Sequence, residues 1–259
     1  MTSEQIALAV LSGGAVGFAL GLIGGGGSIL AVPLMLYVVG LHNPHVVIGS
    51  TALAVSINAY MNLIPHWRAG HVRWKTAVGF ALPGAVGALI GSDLGKAVNG
   101  QELLFLFAGL MLVIAVMMVR HKETPRLAGA GHAHLERVIP TGFLTGAISG
   151  FFGIGGGFLI VPGLMFSAGL PMILAVGTSL FSVGTFGLTT ALNYAASGLV
   201  NWGAVGAYLT GGVGGGVLGS KLATKLGDNK ATLTWIFAAT IIVVALYMLY
   251  LNGRTLGWL

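Results

Sequence analysis

The sequence predicts an all-α polytopic membrane protein built from two inverted-topology repeats, each a glycine-broken helical hairpin followed by three transmembrane helices. Three observations carry this expectation. Charged residues make up 7% of the 259-residue chain and hydrophobic residues 56%. A water-soluble surface ordinarily draws on about 25% charged residues, so lipid is the solvent for much of this one. Ten apolar runs follow one another, and six are near the ~20 residues that a bilayer-crossing helix needs. One glycine-rich segment occurs twice, as GLIGGGGSILAVP at 21–33 and GFFGIGGGFLIVP at 150–162.

The runs fall at 5–22, 28–40, 46–64, 76–95 and 102–119, then at 138–152, 157–169, 172–196, 203–220 and 231–250. Those at 28–40, 138–152 and 157–169 are short, and each borders a glycine cluster. Glycine lets a membrane helix break, and it also lets two backbones approach closely. Runs 5–22 and 28–40 therefore form one broken hairpin, and 138–152 and 157–169 form the other. Residues 1–119 make the first repeat and 138–259 the second, joined by a basic linker at 120–137 within one membrane domain.

The halves align residue by residue. At an offset of 129, Gly17, Gly21, Gly24, Gly26, Gly27, Pro33 and Gly40 meet Gly146, Gly150, Gly153, Gly155, Gly156, Pro162 and Gly169. At 128, Gly49, Gly70, Trp74, Gly84, Gly87, Gly91 and Ser92 meet Gly177, Gly198, Trp202, Gly212, Gly215, Gly219 and Ser220. The shared proline and tryptophan in ordered spacing argue for duplication over chance similarity between glycine-rich helices.

Short cytoplasmic loops are enriched in Lys and Arg. The linker 120–137 holds Arg120, Lys122, Arg126 and Arg137, which assigns it to the cytoplasm. Counting helices outward from it makes 65–75, with Arg68, Arg73 and Lys75, cytoplasmic, and the uncharged 197–202 external. Loop 221–230, with three lysines, is then internal, both termini are external, and Lys96 and Arg254 are the basic exceptions. Matching loops thus carry opposite charge character, which implies inverted halves. Each broken segment must begin and end on one side. The N-terminus has no Lys or Arg ahead of its apolar stretch, unlike a cleaved signal peptide.

Composition excludes several function classes. With no cysteine, thiol nucleophiles and thiolate metal sites are out. The net charge of +6 sits in short loops between apolar runs, so nucleic acid is not the expected partner. A P-loop needs Lys then Ser or Thr after its glycines. A dinucleotide fold needs a preceding strand and a later acid. Ser28 lacks the G-x-S-x-G context of a hydrolase nucleophile. No cofactor, metal or enzymatic activity is expected. The His121, His132 and His134 group on the Gly/Ala-rich linker is weak evidence for a metal.

Two readings of the glycine motif stay open. It serves packing or a kink, or it forms a substrate site at Gly24, Gly25, Gly26, Gly27 and Ser28 together with Gly153, Gly155, Gly156 and Gly157. In the second reading, half-helices starting at Ser28 and Phe158 turn unpaired N–H groups and a positive dipole end toward an anion. Inverted-repeat transporters place such breaks near the midplane. Ser50, Thr51, Asn58, Thr178, Ser179 and Asn193 on the following spans add hydroxyls and amides, whose polar stripe either lines a pathway or bonds helix to helix. No Asp or Glu stands in mid-span. His66 and Arg68, at a cytoplasmic helix end, are either interface anchors or a gate or coupling group.

The two motifs resemble the duplicated glycine-rich motif of the TauE/SafE sulfite exporter family, and the resemblance extends over essentially the whole chain. It implies a bacterial inner-membrane secondary transporter whose substrate is sulfite, an organosulfonate or a related small sulfur-containing anion, with the two glycine breaks lining the site. Gly25 opposite Ile154 and Ser28 opposite Gly157 depart from repeat symmetry and imply an asymmetric site. Uptake of a similar anion, a passive anion channel and a purely structural protein remain alternatives. Besides lipid and the anion, a homo-oligomer is compatible with the sequence.

Overall fold

In the computed structural model the described residues are 1–120, 135–155, 157–226 and 231–257. Among them the chain is all-helical: α1 (Ser3–Ile23), α2 (Ala31–Pro33), α3 (Pro44–Arg68), α4 (Trp74–Ala97), α5 (Gly100–Arg120), α6 (Leu135–Phe152), α7 (Gly157–Ala168), α8 (Met172–Ala196), α9 (Trp202–Leu226) and α10 (Ala231–Thr255). Five helices are long and apolar enough to cross a bilayer: Ser3–Leu22, Pro44–Arg68, Trp74–Ala97, Met172–Ala196 and Ala238–Thr255. Gly27–Val38, Gly100–Val116 and Gly157–Ala168 are shorter apolar helices. All but a few residues at either end of the linker 120–137, including its three histidines, lie outside the described residues, as does Gly156.

The molecule is turned outward relative to a soluble bundle. Leu82, Val86, Leu89, Ile90 and Leu94 on α4 are exposed, while Ser28, Ser50, Ser56, Asn58, Ser92 and Ser182 are fully buried. Lipid tails are as apolar as leucine, so close van der Waals packing must hold the helices together. Small residues supply it at two crossings. α1 runs parallel to α9, with Gly13, Gly17 and Gly21 laid on Tyr208, Gly212 and Gly216. α4 runs parallel to α6, with Phe80, Gly84 and Ala88 laid on Gly142, Gly146 and Gly150. A Cβ on Gly17 would overlap the Gly212 carbonyl, and one on Gly146 would overlap the Gly84 carbonyl. These two contacts are equivalent under the repeat offsets. Ten of the aligned glycines are thereby accounted for by these two crossings.

α3 and α8 form the centre, and they run antiparallel. Asn43 caps α3 by accepting from the His45 and Val46 amides at 3.1 and 3.3 Å, with Pro44 in the first turn. Each helix ends in the same motif. Gly70 and Gly198 adopt φ of 73° and 69°. The next amides, of His71 and Leu199, reach back to the His66 and Tyr194 carbonyls, both at 2.9 Å. A side chain is strained at such φ, so glycine ends both helices. Each capping loop is then pinned to the start of the other helix. The Asn201 N–H donates to Ser50 Oγ at 2.8 Å, and the Arg73 N–H donates to Thr178 Oγ1 at 3.1 Å. Both pairs obey the offset of 128. Ser56 and Gly184 are mates of one another, and Ser56 Oγ donates to the Gly184 carbonyl at 2.6 Å. An approximate two-fold relation between the halves therefore passes beside Ser56 and Gly184, across the α3–α8 pair.

Candidate substrate site

The two broken segments differ in form. α1 gives way to a 3-10 turn over Gly24–Leu30, then to α2 and a π-helical stretch over Leu34–Val38. A helical stretch does follow the break, over Gly27–Val38, but it is mixed: Ser28 lies fully buried in its 3-10 part, and only three residues, Ala31–Pro33, are α-helical before the π-helical end. Four consecutive glycines carry no side chains to enforce α geometry, so the tighter turn prevails. In the second half, α6 closes at Phe152 and Gly153 and Gly155 both take φ of 66°. Helix α7 starts at Gly157, one residue before the expected Phe158. Ile154, standing where the first half has Gly25, is buried in the core.

The breaks meet. The turn Gly24–Leu30 packs against α7 and α8. At the second break, a Cβ on Gly155 would sit 3.3 Å from methyl groups of both Val55 and Val183, one residue from Ser56 and Gly184. The second glycine turn thus approaches the central stretch of α3 and α8, and the first packs beside it against α7 and α8.

The expected polar ligands divide into two groups. Ser50 and Thr178 hold the capping loops described above. Thr51 Oγ1 donates to the Val47 carbonyl at 2.8 Å and Ser179 Oγ to the Val176 carbonyl at 2.8 Å, each within its own helix. Asn193 stands apart from the breaks in a polar cluster between α4 and α8. Its Nδ2 donates to Ser92 Oγ at 2.7 Å and to Asp93 at 2.9 Å, and its Oδ1 accepts from Lys96 Nζ at 2.8 Å. Lys96 also pairs with Asp93 at 3.1 Å. His66 is buried beside the His71 ring, centroids 5.9 Å apart, and Arg68 is exposed at the end of α3.

Asn58 is different. It is fully buried, yet neither its Nδ2 nor its Oδ1 has a hydrogen-bond partner among the described residues. Leaving such a group unpaired costs about 1–3 kcal/mol. It fills the notch left by the missing side chain of Gly212, where a Cβ would be 2.7 Å from Asn58 Cγ. Ser182, two residues from Gly184 as Asn58 is from Ser56, also buries a hydroxyl without a partner. Tyr208, Thr190, Ser149 and Ser12 do likewise. None of these four was expected from the sequence as a ligand. For Tyr208 a signal existed, since it stands opposite Phe80 in the repeat alignment as a polar replacement of an apolar residue.

A duplicated glycine break, two small-residue crossings and a central antiparallel pair span almost the whole chain, and so does the match to the family model described as sulfite exporter TauE/SafE, over residues 9–248. The chain belongs to the TauE/SafE sulfite exporter family. It is 50% identical over 259 residues to a probable membrane transporter protein of Xylella fastidiosa strain Temecula1, covering 99% of each chain. A probable membrane transporter protein of Haemophilus influenzae is 30% identical over 94% of this chain and 97% of its own. The probable membrane transporter protein YunE of Bacillus subtilis is 26% identical over 88% and 92%. No solved structure matches. As a TauE/SafE member with five apolar helices of spanning length, the protein is a multi-pass membrane transporter.

Proposed function

We propose that the protein is a secondary transporter of the bacterial inner membrane that exports sulfite or a small organosulfonate. The halves are inverted across the bilayer, and the substrate binds where the two glycine breaks converge on Ser56 and Gly184. One observation carries this reading: beside that convergence, the Asn58 amide is fully buried with no partner for either polar atom. Burial without hydrogen bonding is unfavourable unless something polar arrives. A small oxyanion accepts from the amide N–H and from turn N–H groups without a buried Lys or Arg. The antiparallel packing of α3 on α8 supports inversion, because a two-fold axis crossing two spanning helices lies in the membrane plane.

In this reading the parallel pairs α1–α9 and α4–α6 are the bodies that shift against α3–α8, giving alternating access. Asn193, Lys96 and Asp93 then tie α4 to α8 on the external side, and Arg68 and Arg73 draw anions to the internal mouth. Titration calorimetry of the purified protein with sulfite and methanesulfonate tests the site. Saturable heat with at least one of them is expected, and silence with both overturns the reading.

A further inference from the structure

The repeat alignment makes Asn58 the mate of Phe186 and Tyr208 the mate of Phe80, both at the offset of 128. The packing follows the same rule. A Cβ on Gly212 would strike Asn58, and a Cβ on its mate Gly84 would strike the Phe186 ring. Phe186 stacks on Phe80, with centroids 6.2 Å apart and planes at 21°. All four side chains are buried. One half of the molecule therefore holds a stacked apolar pair where the other half holds an amide and a phenol. Tyr208 Oη and both polar atoms of Asn58 lack partners, so the two groups do not satisfy one another.

We infer that Asn58 and Tyr208 together are the anion-recognising half of the transport site, with Tyr208 the specificity-determining partner that symmetry exposes, while Phe80 and Phe186 form an apolar wall. The inference rests on the substrate site proposed above and adds a residue and a polarity to it. An amide N–H₂ and a phenol O–H present three neutral donors. Neutral donors in a dry site bind an anion through hydrogen bonds alone. That suits a transporter, which must hold its ion and also release it. In the mate of Tyr208 the same packing is met by Phe80 with no oxygen at all, so the fold does not require the Tyr208 hydroxyl.

The test uses the purified full chain and compares wild type with Tyr208→Phe and Asn58→Leu by calorimetric titration of sulfite and of methanesulfonate, with thermal unfolding alongside. Tyr208→Phe deletes one unpartnered oxygen, so its Tm should equal or exceed that of wild type. Its affinity for the bound anion should fall roughly ten- to hundredfold, the worth of one hydrogen bond to a charged group. Asn58→Leu should keep the fold and weaken binding at least as much. Wild-type binding retained in Tyr208→Phe, with binding lost in Asn58→Leu, overturns this inference and leaves the proposed function standing, whereas wild-type binding retained in Asn58→Leu overturns both. No binding of either anion by the wild-type protein overturns both.

Discussion

Replacing Gly17 by alanine should separate α1 from α9. A Cβ there would lie against three backbone atoms of Gly212, with the carbonyl carbon and Cα both at 2.8 Å and the oxygen nearer still. Carbon atoms in contact sit ~3.5 Å apart, so the helices must part by about 0.7 Å or more. The obstruction is backbone, which has no rotamer to relax. Overpacking of this kind costs about 1–3 kcal/mol. Gly212→Ala on the opposite helix meets Asn58 and should cost a similar amount. The Gly17 Cβ presses on α9 and the Gly212 Cβ on Asn58 of α3, so no single separation relieves both and the double variant should cost about the sum. The control lies on the same helix: Gly214 has nothing within 4 Å of a Cβ, so Gly214→Ala should be neutral or slightly stabilising. Thermal unfolding of the four purified variants in one detergent checks this. A wild-type Tm for Gly17→Ala, or equal losses for Gly214→Ala and Gly17→Ala, refutes the close-crossing argument.

Ser50→Ala and Thr178→Ala should each cost about 1–2 kcal/mol, because each strands the backbone N–H of Asn201 or Arg73 at an equivalent clamp; unequal losses in thermal unfolding would argue that the clamps are not equivalent. The chain has no cysteine, so single cysteines report sidedness cleanly. Ala69→Cys and Ser197→Cys occupy exposed mate positions at the ends of α3 and α8. A membrane-impermeant maleimide applied to intact cells should label the second and spare the first, and labelling of both or of Ala69→Cys alone would contradict inversion.

The helices were legible because their apolar runs match bilayer thickness: 46–64 and 172–196 became α3 and α8 with only terminal adjustment. The duplication was legible because glycine, proline and tryptophan each mark a backbone requirement. Gly70 with Gly198 and Gly40 with Gly169 all proved to have positive φ. The first break was less legible. Sequence alone reads GGGGS as the start of a half-helix, and a helical stretch does follow, but its 3-10 and π-helical parts were not legible because glycine permits many backbones. Ligand candidates were hardest to read. Ser50, Thr178 and Asn193 read as ligand candidates alongside Asn58, yet their partners come from Asn201, Arg73, Ser92 and Lys96, residues distant in sequence. Tyr208 was missed because a tyrosine in a membrane helix reads as bulk until its Phe80 counterpart shows what the oxygen adds.

The central claim is that a small sulfur oxyanion crosses this protein through one site exposed alternately to each side. Counterflow in proteoliposomes tests it most directly. Vesicles loaded with unlabelled sulfite or methanesulfonate and diluted into a trace of the labelled anion should show transient uphill accumulation that saturates with substrate and is reduced in Asn58→Leu. Downhill flux with no accumulation, unsaturated at high concentration and unchanged in that variant, would contradict it.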